Sequence, residues 1–68
     1  MLELNQSQLT SLPAEIGRLS QLRVLKLDQN QLTTLPTEIG QLPQLQTLEL
    51  AENPLKDIDE KIRQRFQL

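Results

Sequence analysis

Residues 22–42 read LRVLKLDQNQLTTLPTEIGQL, and the spacing of their apolar positions decides the fold. Leu22, Leu25, Leu27, Asn30, Leu32, Leu35, Pro36, Ile39, Gly40 and Leu42 stand in slots that recur 23 residues earlier and 23 later. Leu2, Leu25 and Leu48 align, as do Leu4, Leu27 and Leu50, and Leu9, Leu32 and Leu55. Self-similarity at a fixed period of about 20–50 residues is the mark of a repeat solenoid, in which one coil cannot bury its apolar face until neighbours stack on it.

Outward from this stretch, residues 2–4, 25–27 and 48–50 read Leu-Glu-Leu, Leu-Lys-Leu and Leu-Glu-Leu. Alternation places leucine on one face of a strand and charge on the other. Segments this short persist only when paired with their counterparts in the next coil, and counterparts one coil apart run in the same direction. The expectation is therefore a short parallel sheet along one side. Leu9-x-x-Leu12-Pro13 and Leu32-x-x-Leu35-Pro36 then leave the sheet, since proline has no donor for the ladder. Ala14–Leu19 and Thr37–Leu42 form one short helical or 3₁₀ turn each on the outer side. Gly17 and Gly40 are expected to limit its regularity. The chain returns through Leu22 and Leu45 to the next strand.

The third coil departs from this template. It reads Ile58-Asp59-Glu60-Lys61-Ile62-Arg63, without the proline or the glycine. Ile58, Ile62 and Phe66 are four apart, a helical stripe. Asp57 and Asp59 stand at its start and Arg63 and Arg65 near its end, the order that suits a helix dipole and an N-cap. Asp57 with Lys61 and Asp59 with Arg63 are candidate i,i+4 pairs. The spacing predicts a helix over 58–66, read as a C-terminal cap on the core. The alternative is a free amphipathic helix for a partner.

The pattern Leu-x-x-Leu-x-Leu-x-x-Asn-x-Leu resembles the leucine-rich repeat family over nearly the whole chain. That resemblance implies an α/β repeat fold: a right-handed solenoid of about three coils (about 1–21, 22–44 and 45–68) with a parallel sheet on its concave side. It also implies that Asn30, like Asn53 and Ser7 in the same slot, bonds backbone groups of its own turn and of the neighbouring coil. From the residue alone, Asn30 is a local turn former. Ser7 is shorter, so the first coil should be looser there. The Leu-Pro-x-Glu-Ile-Gly-x-Leu wording and the many glutamines are similar to bacterial arrays and to those joined to Ras-like GTPase modules of the Roco type. No GTP-binding motif occurs, so no GTPase activity carries over.

Composition narrows the function classes. The 68 residues carry no Cys and no His, nine carboxylates and a net charge of −2. The usual metal ligands, nucleophiles and acid–base groups are missing. The carboxylates sit in repeat-equivalent slots, Glu15 with Glu38 and Glu3 with Glu49, as a solvated face would place them. The chain thus reads as no enzyme, with no cofactor and no metal. A slightly acidic charge argues against nucleic acid. No apolar run approaches the roughly 18 residues of a membrane span. The start has no signal-peptide pattern, which together with the absence of cysteine fits the cytoplasm.

The face left for binding is the polar side of the sheet, which the family resemblance makes the partner-binding surface. Its residues are Glu3, Asn5, Gln6 and Gln8; Val24, Lys26, Asp28, Gln29 and Gln31; Thr47, Glu49, Ala51 and Glu52. Lys26 falls between Glu3 and Glu49 on strands about 4.8 Å apart, either as a charge ladder or as a partner contact. Asp28 and Glu52 have no such charge partner in line. One positive and four negative charges favour a basic or hydrogen-bonding protein partner. Tyr, Trp and Arg, the usual hot-spot types, are absent from the face. A protein-binding scaffold is the first reading. A capping or assembly unit that stacks end-on, and a regulatory segment of a larger signalling protein, are the alternatives. The first coil lacks the opening leucine of Leu22 and Leu45, so weak self-association through the N-terminal sheet edge is also expected.

Overall fold

Each Leu-x-Leu segment pairs with the segment one period away. The computed structural model describes all 68 residues. Its strands are β1 (Leu2–Glu3), β2 (Val24–Lys26) and β3 (Thr47–Glu49), parallel and in the order β1-β2-β3. The register sets Leu2 beside Leu25 beside Leu48, and Glu3 beside Lys26 beside Glu49, as the repeat alignment requires. The bounds differ from the expected 2–4, 25–27 and 48–50. β2 and β3 begin and end one residue earlier, and β1 is one residue shorter. The last leucine of each triplet already belongs to the turn, yet its N–H still bonds the next coil: Leu4 N–H to Lys26 O at 2.8 Å and Leu27 N–H to Glu49 O at 2.8 Å. Pairing thus outlasts the extended segment.

On the outer side, Ala14–Arg18 and Thr37–Gln41 are 3₁₀ helices, each introduced by the extended backbone of Pro13 or Pro36. Gly17 and Gly40 do not interrupt them; they let the coils approach. A Cβ on Gly17 would meet Glu38 Cβ at 2.8 Å, and one on Gly40 would meet Ile62 Cγ1 at 3.2 Å. The equivalent slot in the third coil holds Arg63.

The third outer element is a true helix, α1 (Glu60–Phe66), shorter than the expected 58–66. Asp59 is its N-cap: its carboxylate accepts from the Lys61 N–H at 2.8 Å, so the helix cannot extend back to Ile58. Neither expected i,i+4 pair forms, and the chain's one ion pair lies elsewhere. Asp59 is committed to the cap, and Asp57 is held in a parallel bridge with Thr34.

The core is a column of eleven buried apolar residues. Leu25, Leu27, Leu32, Ile39 and Leu42 of the central coil are fully buried, because that coil has neighbours on both sides. Leu2, Leu4, Leu9 and Leu12 of the first coil are only partly buried against it. α1 closes the opposite end: Ile62 is fully buried, with Ile58 and Phe66 half-buried around it.

Candidate functional site

The polar face of the sheet is built in rows, because parallel pairing in register sets repeat-equivalent side chains side by side. In the central row, Lys26 Nζ lies 3.7 Å from Glu3 Oε2. Lys26 does not bridge both carboxylates as the row order suggested; it pairs with Glu3 alone, and Glu49 has no ion-pair partner. Val24 and Thr47 stand next to one another at the start of the face, in register.

The next row is structural. Asn5 Oδ1 accepts from the Asp28 N–H at 2.7 Å, and Asp28 Oδ1 accepts from the Ala51 N–H at 2.7 Å. These side chains extend the ladder past the strands; Asp28 has no ion-pair partner, and one of its carboxylate oxygens is engaged by the Ala51 N–H. The row ends at Ala51, which has no side-chain acceptor to offer.

Gln6, Gln29 and Glu52 form the row beyond. Gln6 Nε2 donates to Gln29 Oε1, and Gln29 Nε2 donates to Glu52 Oε2 at 2.6 Å. All three residues hold positive φ, 57°, 59° and 60°, in the left-handed region where side chains are sparsely tolerated. That backbone lifts each side chain onto the exposed face as the chain turns off the sheet. Glu52 thus has no charge partner, as expected, but its carboxylate accepts from a neutral glutamine amide. Gln8 also has a positive φ, 59°, a feature of the first coil that Gln31 does not share.

Beneath these rows lie two supporting asparagines, Asn30 buried and Asn53 half-buried. Asn30 Nδ2 donates to Leu4 O, Leu27 O and Asp28 O, and its Oδ1 accepts from the Ser7 and Leu9 N–H groups. Asn53 repeats the pattern with Leu27 O, Leu50 O and Ala51 O, and with the Leu32 N–H. Each asparagine thus ties its own turn to the preceding coil. Ser7 reaches only Asn5 O, at 3.4 Å. No buried side-chain polar atom is left without a partner.

One anchoring residue escaped the sequence reading. Arg65 donates to Gly40 O and to Leu45 O, both at 2.9 Å, and lies 5.0 Å from the Phe66 ring centroid. It clamps α1 to the central and third coils. The signal was present: Arg65 occupies the slot that Leu19 and Leu42 fill, so a charged residue there must find polar partners. The face offers no group of His, Cys, Asp or Glu arranged to hold a metal ion, and no helix is long and apolar enough to cross a membrane.

Residues 1–55 match the family model described as leucine rich repeat. A solved leucine-rich repeat protein of Leptospira interrogans superposes with a TM-score of 0.86 at 48% identity, over 93% of this chain. The match spans 16% of that protein's solved chain. No curated protein matches.

Proposed function

This chain belongs to the leucine-rich repeat family, and on that footing we propose that it is a non-catalytic scaffold whose concave sheet face binds a basic or hydrogen-bonding protein partner. Domains of this family are typically protein-interaction modules without catalytic activity. The observation that carries the finer reading is the Gln6–Gln29–Glu52 row. Three exposed polar side chains are held in line by one another, so a partner meets groups that are already ordered and the entropy cost of binding is reduced. Glu3, Glu49 and Glu52 outnumber Lys26 around it, which steers a basic partner toward the face. Val24, Lys26 and Thr47 complete the contact surface, while Asn5 and Asp28 support it from within.

The test uses positions outside the structural ladders. Val24→Arg with Lys26→Glu alters the centre of the face, and Glu15→Lys with Glu38→Lys alters the outer turns. A partner captured by the wild-type chain should be lost with the first pair and kept with the second. The reverse pattern would move the binding surface to the outer side.

A second reading concerns the N-terminal end. Met1 is 77% and Leu19 44% exposed, and with Leu2 and Leu22 they line an open depression of about 450 Å³. An apolar end face of this kind accepts another coil, from the same chain or a different one. For these 68 residues the expected result is weak, concentration-dependent self-association in light scattering, abolished by Leu2→Lys with Leu4→Lys if that variant stays folded. A folded chain that stays monomeric at millimolar concentration rules the reading out.

A further inference from the structure

β3 has a neighbour on one side only, and its free edge is not sealed by the cap. Gln46, Thr47 and Leu48 on one wall and Arg65, Phe66 and Gln67 on the other enclose a groove of about 350 Å³. The wall chemistry is repeated from within the molecule. β3 and the residue after it read Leu48-Glu49-Leu50, the same triplet as Leu2-Glu3-Leu4. On that first triplet sits Leu25-Lys26-Leu27, with Leu25 beside Leu2 and Lys26 paired to Glu3. The side of β1 that β2 covers corresponds to the side of β3 that lies open. Leu48 is only half-buried where Leu25 is fully buried, and Glu49 has no ion-pair partner where Glu3 has one.

We propose that this edge is a second binding site, beside the concave face and sharing Glu49 with it, which takes an extended partner segment of apolar–basic–apolar pattern as a fourth parallel strand. Backbone bonds to β3 supply affinity, as in other strand additions. An apolar side chain of the segment rests on Leu48 and Phe66, and its Lys or Arg pairs with Glu49. A second copy of this chain is a poor occupant. Its exposed strands are β1 and β3, which bring Glu3 or Glu49 against Glu49, and like charges directly opposite are destabilising. Its one Lys-bearing strand, β2, is flanked on both sides.

The probe is a blocked synthetic peptide of residues 23–29, RVLKLDQ, titrated to millimolar into the isotope-labelled chain and followed by NMR. Saturable shifts should centre on residues 46–50 and 65–67. Glu49→Lys should weaken binding by about two- to fivefold, the range of an exposed ion pair, and the peptide with Lys26→Glu should recover it on that variant. The peptide with Leu25→Pro, which lacks a strand donor, should not bind. Glu3→Gln with Gln6→Ala, on the coil farthest from β3, should leave peptide binding unchanged, which separates this site from the rest of the concave face. No saturable shift, shifts centred on β1 or on Gln6 and Gln29, or the same shifts produced by raising the chain's own concentration would each overturn the proposal.

Discussion

Replacing Ile62 with Glu is expected to unfold the chain or lower its melting temperature sharply. Ile62 is fully buried and is the one residue of α1 that enters the core. It packs against the backbone at Gly40, close enough that a Cβ there would stand 3.2 Å from Ile62 Cγ1. Of the basic groups of α1, Arg65 is committed to Gly40 O and Leu45 O, and Lys61 and Arg63 are exposed, away from the buried Ile62. A charge buried without a partner costs about 3–5 kcal/mol, added to the lost apolar contact. At roughly 0.05–0.15 kcal/mol per residue a domain of this size holds about 3–10 kcal/mol in total. Thermal denaturation measures the effect. A melting curve like that of the wild-type chain would mean that α1 is not a cap, and that residues 60–66 are free to serve a partner.

Leu35→Ala tests the other end of the same argument, the central coil. Leu35 is 4% exposed and stands where the chain leaves the sheet for the outer turn. Its neighbours belong to coils on both sides, so they cannot close the space without breaking their own register. A buried leucine truncated to alanine costs about 2–5 kcal/mol, more where the site cannot collapse. In a solenoid the central coil carries both nearest-neighbour interfaces, so loss there should couple across the whole chain. Chemical denaturation should show a lowered midpoint. Leu12→Ala, in the equivalent slot of the first coil and only half-buried, should cost distinctly less. Equal effects at the two positions would contradict the burial gradient.

The period of 23 made the coils, the parallel order and the register readable from the residues. In a solenoid each slot's neighbour is the same slot one period away, so a one-dimensional pattern already specifies a three-dimensional contact. The same property exposed the C-terminal helix, because Pro36 and Gly40 have no counterparts in the third coil. It also located the polar face, since alternation along a strand assigns each side chain to a side.

Slot equivalence could not say what surrounds a slot. Leu19 and Leu42 are equivalent, yet Leu19 is 44% exposed and Leu42 fully buried. Leu42 lies between the first coil and the cap, whereas nothing covers Leu19. Lys26 stood equidistant in sequence from Glu3 and Glu49 and pairs with one of them. Asp28 and Glu52, which have no charge partner in line, are engaged instead by a backbone N–H and by a glutamine amide. Arg65, in a leucine slot, became a clamp on two carbonyls. Hydrogen bonds weaken steeply with small changes of distance and angle, so which polar side chains hold the fold and which remain for a partner depends on where atoms come to rest. Apolar burial is non-directional and roughly proportional to area, so the residue pattern suffices to choose the solenoid. The face that solenoid offers is chosen by directional bonds, which exist only once the coils have stacked.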